Sequence, residues 1–288
     1  MSTTLYREYS QRELDAQYDN RRKVSEAYFL TLSDRLAKRS HDARQAWRCR
    51  LDVTYGTAPA ERLDIFEPDS NLSTVIFFHG GYWRVNDKKD FAYVANGLLP
   101  HGIKLVVPGY GLIPTVTMDQ LIDQCRRAVA WTFHNMVGQV YSPMRICLAG
   151  HSAGAHIVAM MLTTDWSAYD VPRDFVGCAI GISGVYELEP IRLSFLNSTL
   201  KLTAVDVERN SPLRLPPRQT PPFLLAIGEQ EGAEFLRQSE DLCTAWGRYG
   251  NNLERKVLKG ANHYSAREQL DDPCSEIVML MVDRIANQ

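Results

Sequence analysis

The sequence carries no excess of charge of either sign: 32 Lys and Arg stand against 34 Asp and Glu, a formal net charge of -2. Such a balance offers no basic field to a polyanion, so nucleic acid is not an expected partner. Long apolar runs are absent too. None approaches the ~18 residues a bilayer-spanning helix needs, and no membrane association is expected. Met1 to Asn20 is polar and lacks the apolar centre of a secretory signal. Cysteines are few and scattered, six in all, with no C-x-x-C and no H-E-x-x-H spacing. Neither a zinc site nor a disulfide framework is implied, so no metal or cofactor is expected and a reducing cytoplasm is the expected compartment. What is present is ordinary for a globular protein: 288 residues, 45% hydrophobic and 23% charged. With no internal repeat and no linker-like composition, residues 1–288 read as a single domain.

The most informative stretch is Arg145–His156, an apolar strand running through Gly150-His151-Ser152-Ala153-Gly154 into the apolar start of a helix. A G-x-S-x-G between strand and helix demands a tight, strained turn with Ser152 at its apex. Glycine on either side lets the two backbones approach. The helix N-terminus and the Ala153 N–H then point at whatever Ser152 attacks.

The remaining chain supplies a frame for that turn. Ser10 to Lys38 reads as helical with one apolar face, part of an N-terminal helical segment (residues 1–49) in which Tyr28 and Phe29 are candidates to cover the site. Arg50–Tyr55 and Arg62–Phe66 alternate apolar and polar residues around a Gly/Pro loop, as two antiparallel strands do. Thr74–Phe78, Ile103–Val107, Val176–Ile182 and Pro222–Ile227 are apolar but for Thr74 and Lys104. They alternate with helical patterns at Phe91–Leu99, Met118–Met136 and Ala233–Tyr249, which indicates an α/β fold with a mostly parallel sheet covered on both faces. Glu254–Leu258 is the last expected strand and Gln269–Ala286 the closing helix. Glu187 to Pro222 breaks the alternation and reads as a lid-like insertion (187–222) over the carboxyl ends of the strands, where ligands bind in such sheets.

His79-Gly80-Gly81-Tyr82-Trp83 ends the first buried strand. In hydrolases of this architecture such a loop supplies amides to an oxyanion hole, here Gly81 and Tyr82 together with Ala153. A serine hydroxyl needs a base, and in this architecture the chain order is serine, acid, histidine. His263 alone falls in a loop after a late strand. His79, His151 and His156 are read as structural. The acid belongs in the turn after Pro222–Ile227, where no aspartate occurs. Glu231 is the first choice, Glu229 and Glu234 are its nearest rivals, and Glu187 is a more distant one.

These residues resemble the arylformamidase (kynurenine formamidase) branch of the α/β-hydrolase fold. The resemblance rests on H-G-G-Y-W at His79–Trp83, G-H-S-A-G-A-H at Gly150–His156, Ser183–Pro190, Arg209–Pro212 and His263 followed by an aromatic, and it runs roughly from Leu5 to Leu280. In that family an aspartate matches Glu231, so this chain departs there. The resemblance implies hydrolysis of an N-formyl or other small N-acyl group from an aromatic amine, with Ser152 as nucleophile, His263 as base and Glu231 as its orienting acid. Trp83, Tyr186 and the ring of Tyr82 are then candidates to stack on the aryl group. A carboxylesterase or anilide/carbamate amidase would use the same residues on other small molecules, an acyltransferase is a lesser alternative, and a non-catalytic binding protein would keep only the pocket. A homodimer is compatible with this reading.

Overall fold

A computed structural model describes residues 4–70, 73–137 and 146–287; Arg145, the first residue of the nucleophile stretch, lies outside the described residues. Eight strands form one sheet: β1 Cys49–Thr54, β2 Arg62–Phe66, β3 Ser73–Phe78, β4 Ile103–Pro108, β5 Ile146–His151, β6 Val176–Ile182, β7 Phe223–Gly228 and β8 Leu253–Leu258. Their order is β1-β2-β4-β3-β5-β6-β7-β8. β1 pairs antiparallel with β2, and β2 antiparallel with β4; every later pairing is parallel. The first two strands pair antiparallel as expected, although β2 is buried nearly throughout and does not present one solvated face, and the continuous apolar runs form the buried central strands. β3, β5, β6 and β7 are buried along their whole length, whereas β1 is largely exposed.

Two helices precede the sheet, α1 Gln11–Tyr18 and α2 Glu26–Ala46. The single helix expected from Ser10 is interrupted because Asp19 accepts a hydrogen bond from the Arg22 N–H and starts a short 3₁₀ turn, after which Ser25 caps α2. α3 Val94–Leu98 and α4 Met118–Thr132 flank β4, and α5 Ala153–Leu162 comes directly after β5. Residues 187–222 contain three short helices, α6 Glu189–Leu193, α7 Asn197–Leu200 and α8 Ala204–Asn210. α9 Ala233–Gly247, α10 His263–Glu268 and α11 Glu276–Ala286 complete the order. The closing helix begins at Glu276 and not at Gln269: Pro273 interrupts the helical pattern, and Ser275 caps α11.

Strand periodicity divides the core in two. On β3, Ile76 and Phe78 face a cluster with Leu121, Val129, Ile157 and Met161 of α4 and α5, while Val75 and Phe77 face Leu36, Leu98, Val278 and Met281 of α2, α3 and α11. Both faces of the sheet are therefore covered, and the carboxyl ends of β3 and β5–β8 open toward one edge. No helix among the described residues is long and apolar enough to cross a membrane.

Candidate active site

Ser152 sits between β5 and α5 with φ 57° and ψ -119°, a conformation that L-residues rarely hold. The two flanking glycines are required by contact. A Cβ on Gly150 would lie 2.4 Å from the Gly154 carbonyl carbon, and one on Gly154 would lie 1.9 Å from the Phe78 carbonyl oxygen. The turn is thus wedged against the end of β3, which brings the His79–Trp83 loop beside it.

That loop is strained as well. Gly81, Tyr82 and Trp83 have φ of 121°, 47° and 57° in succession. Asn86 Nδ2 donates to the Gly80 carbonyl at 2.9 Å, and the Gly81 carbonyl accepts from Arg84 and Val85. The Gly80 and Gly81 carbonyls are therefore engaged within the loop. Among the described residues, the N–H groups of Gly81, Tyr82 and Ala153 donate to no backbone or side-chain acceptor. Gly81, Tyr82 and Ser152 line one cavity of about 330 Å³.

The Ser152 hydroxyl lies 3.1 Å from His263 Nε2. His263 Nδ1 lies 2.7 Å from Glu231 Oε2, and since a carboxylate only accepts, Nδ1 carries the proton. The three residues are more than nine-tenths buried. His263 is the first residue of α10, not a loop residue: Asn262 caps that helix by accepting from the N–H groups of Tyr264 and Ser265, which fixes the backbone behind the imidazole. The rival carboxylates are all engaged elsewhere. Glu229 accepts from Gly260, Glu234 pairs with Arg237, and Glu187 pairs with Arg237 and Tyr6.

Sequence reasoning missed one partner of this cluster. Ser183, at the end of β6 with φ 53°, donates its hydroxyl to Glu231 Oε1, which also accepts from the Gly228 N–H at 3.0 Å. Both carboxylate oxygens of Glu231 are thus engaged, and the group is held against rotation. A serine directly after a buried central strand was the available signal.

The other histidines behave as packing groups. His156 donates from Nε2 to the Asn210 carbonyl at 2.7 Å and accepts at Nδ1 from Trp83 Nε1 at 3.2 Å; burial pushes its pKa down to about 4. His79 stacks on Tyr110 at 4.3 Å, and burial lowers its pKa. His151 donates to the His263 carbonyl at 2.9 Å and is held neutral by burial.

Two of the three aryl-stacking candidates lie away from this cavity. Trp83 and Tyr186 are fully buried and do not line the cavity: the positive φ at Trp83 turns its ring into the core against His156, and Tyr186 packs under Gly181 and Gly184. The Tyr82 ring does line it, anchored by its hydroxyl to the Tyr18 carbonyl at 2.8 Å. Phe29 lines the cavity and Tyr28 does not; Tyr18, Asp19, Asn20 and Arg21 join from the N-terminal side, and Phe195 is the one residue from 187–222. A larger cleft of about 660 Å³ is lined by His79, Asp52, Asp64 and Lys88 and includes neither Ser152 nor His263.

The strand order, the strained serine turn and the late histidine together define an α/β-hydrolase fold. A family model described as BD-FAE matches residues 63–177. The chain is 34% identical over 252 residues to a protein of Danio rerio named kynurenine formamidase, covering 84% of each chain. It is likewise 34% identical over 250 residues to one of the same name from Salmo salar, covering 83% of each. A solved structure of a candidate thioesterase from Silicibacter sp. tm1040 superposes with a TM-score of 0.81 at 28% identity, over 93% of this chain and 98% of that one. The chain belongs to the kynurenine formamidase family of α/β-hydrolases.

Proposed function

We propose that this hydrolase removes a small acyl group, formyl by preference, from an aromatic amide of the N-formylkynurenine kind through an acyl-enzyme. The observation that carries the reading is the unbroken chain of contacts from Ser152 Oγ through His263 to Glu231. Ser152 attacks the carbonyl carbon as His263 Nε2 takes its proton. The oxyanion meets the free N–H groups of Gly81, Tyr82 and Ala153, donors of a kind whose single removal typically costs ~10²–10³ in turnover. Protonated His263 then delivers the proton to the amine nitrogen, which leaves badly without it, and water repeats the sequence on the acyl-serine. Glu231 orients the ring and offsets its charge; the longer glutamate reaches His263 Nδ1 from a turn pinned by Gly228 and Ser183.

Ester or thioester hydrolysis is the second reading, the thioester part favoured by the similarity to the candidate thioesterase. The two separate on a substrate panel of formanilide, acetanilide and p-nitrophenyl acetate. Formanilide turnover with little acetanilide turnover is expected, and ester turnover without any formamide turnover would reverse the order. Fluorophosphonate labelling should mark Ser152, and Ser152→Ala should abolish both labelling and turnover. Labelling that survives in Ser152→Ala would remove the nucleophile from the mechanism.

A further inference from the structure

Three arginines, Arg21, Arg84 and Arg267, reach the Ser152 cavity, against one carboxylate, Asp19. Two of these four charges are already satisfied: Arg21 is paired with Glu26 and lies over the Phe29 ring, and Asp19 pairs with Arg22 at 3.0 Å. Arg84 and Arg267 differ. Among the described residues no carboxylate pairs with either, and the Nε of each is buried without a partner. Arg84 makes one long contact, from Nη1 to Thr199 Oγ1 at 3.4 Å. Arg267 only overlies the rings of Phe91 and Tyr264, at 5.8 and 5.6 Å.

An unpaired guanidinium held partly out of water is costly, and elsewhere in this chain arginines at such sites are matched, as Arg237 is by Glu187, Glu234 and Asp241. Two unmatched ones on a single cavity leave a place for a counter-charge the protein does not supply. Their attachment is suited to it. Arg84 directly follows the His79–Trp83 loop, and Arg267 stands one helical turn past His263 on α10, on the same side of that helix. A guanidinium fork matches the two oxygens of a carboxylate.

We infer that Arg84 and Arg267 read a carboxylate on the substrate, so that the site selects anionic aryl amides over neutral ones. This rests on the aryl-amide reading above and assigns its specificity to two residues. The test compares an N-formyl anilide whose ortho side chain ends in a carboxylate with its carboxamide analogue. The enzymes are wild type, Arg84→Met, Arg267→Met, the double variant and Arg84→Lys, each checked for folding by its melting transition and by fluorophosphonate labelling. The wild type should prefer the carboxylate by roughly 10–10²-fold in kcat/KM, as a charge-assisted hydrogen bond allows. That preference should shrink in each Met variant and vanish in the double one, chiefly through KM, with partial recovery in Arg84→Lys. A preference that the double variant leaves unchanged, or none in the wild type, overturns the assignment. If neither formanilide turns over, the amide reading fails separately. Phenyl acetates carrying the same two side chains then decide the role of the arginines.

Discussion

Removing the Ser183 hydroxyl tests whether the acid of the cluster is positioned by its surroundings or merely adjacent. Glu231 Oε1 accepts from two donors, Ser183 Oγ and the Gly228 N–H, while Oε2 holds His263. Ser183→Ala deletes one of them in a fully buried position, and a hydrogen bond to a charged group contributes ~1.5–3 kcal/mol. For a chain of this size that corresponds to a melting point lower by roughly 2–5 °C. The carboxylate, held on one side only, can rotate away from Nδ1, and misplacement of about 1 Å costs up to ~10²-fold in turnover. Ser183 also has φ 53°, so Ser183→Gly loses the same hydrogen bond but relieves the backbone; it should be more stable than Ser183→Ala by about 1 kcal/mol while losing activity to the same extent. Melting curves and kcat on formanilide for the pair separate the two contributions. An alanine variant as stable and as active as wild type would refute the reasoning, since it would mean that the Ser183 contact neither stabilises nor orients Glu231.

Glu231→Gln should lower kcat by about 10⁴-fold with little change in melting point, because the amide can present its NH₂ to Nδ1 and favour the wrong tautomer; steady-state kinetics and a melting curve check both halves. Gly154→Ala places a methyl 1.9 Å from the Phe78 carbonyl oxygen and should cost about 3 kcal/mol or more, whereas Gly247→Ala, with nothing within 4 Å, should be neutral or slightly stabilising in urea titrations. Stability should fall on acidification. His156 binds its proton less readily folded, with a pKa of about 4, than unfolded, at 6.5, so the unfolded state takes up more protons in that window. Between pH 7.5 and 5 this histidine alone removes about 2 kcal/mol, with His79 and His151 acting in the same direction, and equal urea midpoints at the two pH values would contradict it. Trp83→Phe deletes the indole N–H that donates to His156 Nδ1 and should cost about 1–3 kcal/mol without altering KM for formanilide, as a core residue should.

Signals confined to a few adjacent residues are legible in the sequence. Gly150 and Gly154 declare the serine turn because no other residue fits between α5 and the end of β3, and the apolar runs declare buried strands because both faces of the sheet are covered. The same reasoning does not reach the burial of Trp83 and Tyr186. An aromatic beside a loaded loop reads alike whether it points into a cavity or into the core, and the deciding quantity, the run of positive φ from Gly81 to Trp83, has no sequence marker beyond the two glycines. His263 reads as a loop residue because a helix of six residues leaves no periodicity to detect, although Asn262 is the kind of residue that starts one. Ser183 leaves only the faint signal of a serine directly after a buried strand, and Arg84 and Arg267 leave none, since each gains its meaning from groups brought beside it by the fold.

The part of the chain before the sheet acquires a role for the same reason. Tyr18 is fully buried; its hydroxyl donates to Glu234 and accepts from Gln238 Nε2, both at 2.9 Å, while its carbonyl accepts from Tyr82. Gln238 Oε1 in turn accepts from the N–H groups of Tyr186 and Glu187, where the 187–222 segment begins. One glutamine on α9 therefore ties together the N-terminal wall of the cavity, the start of the segment that supplies Phe195, and, through Tyr18 and Tyr82, the loop that carries the unpaired amides. Losing any one of these hydrogen bonds would leave a buried polar group without a partner, so the wall and the loop are held as a unit. The cavity beside Ser152 is consequently bounded by parts of the chain far apart in sequence, and the segment before the sheet shapes it together with the turn that holds Ser152.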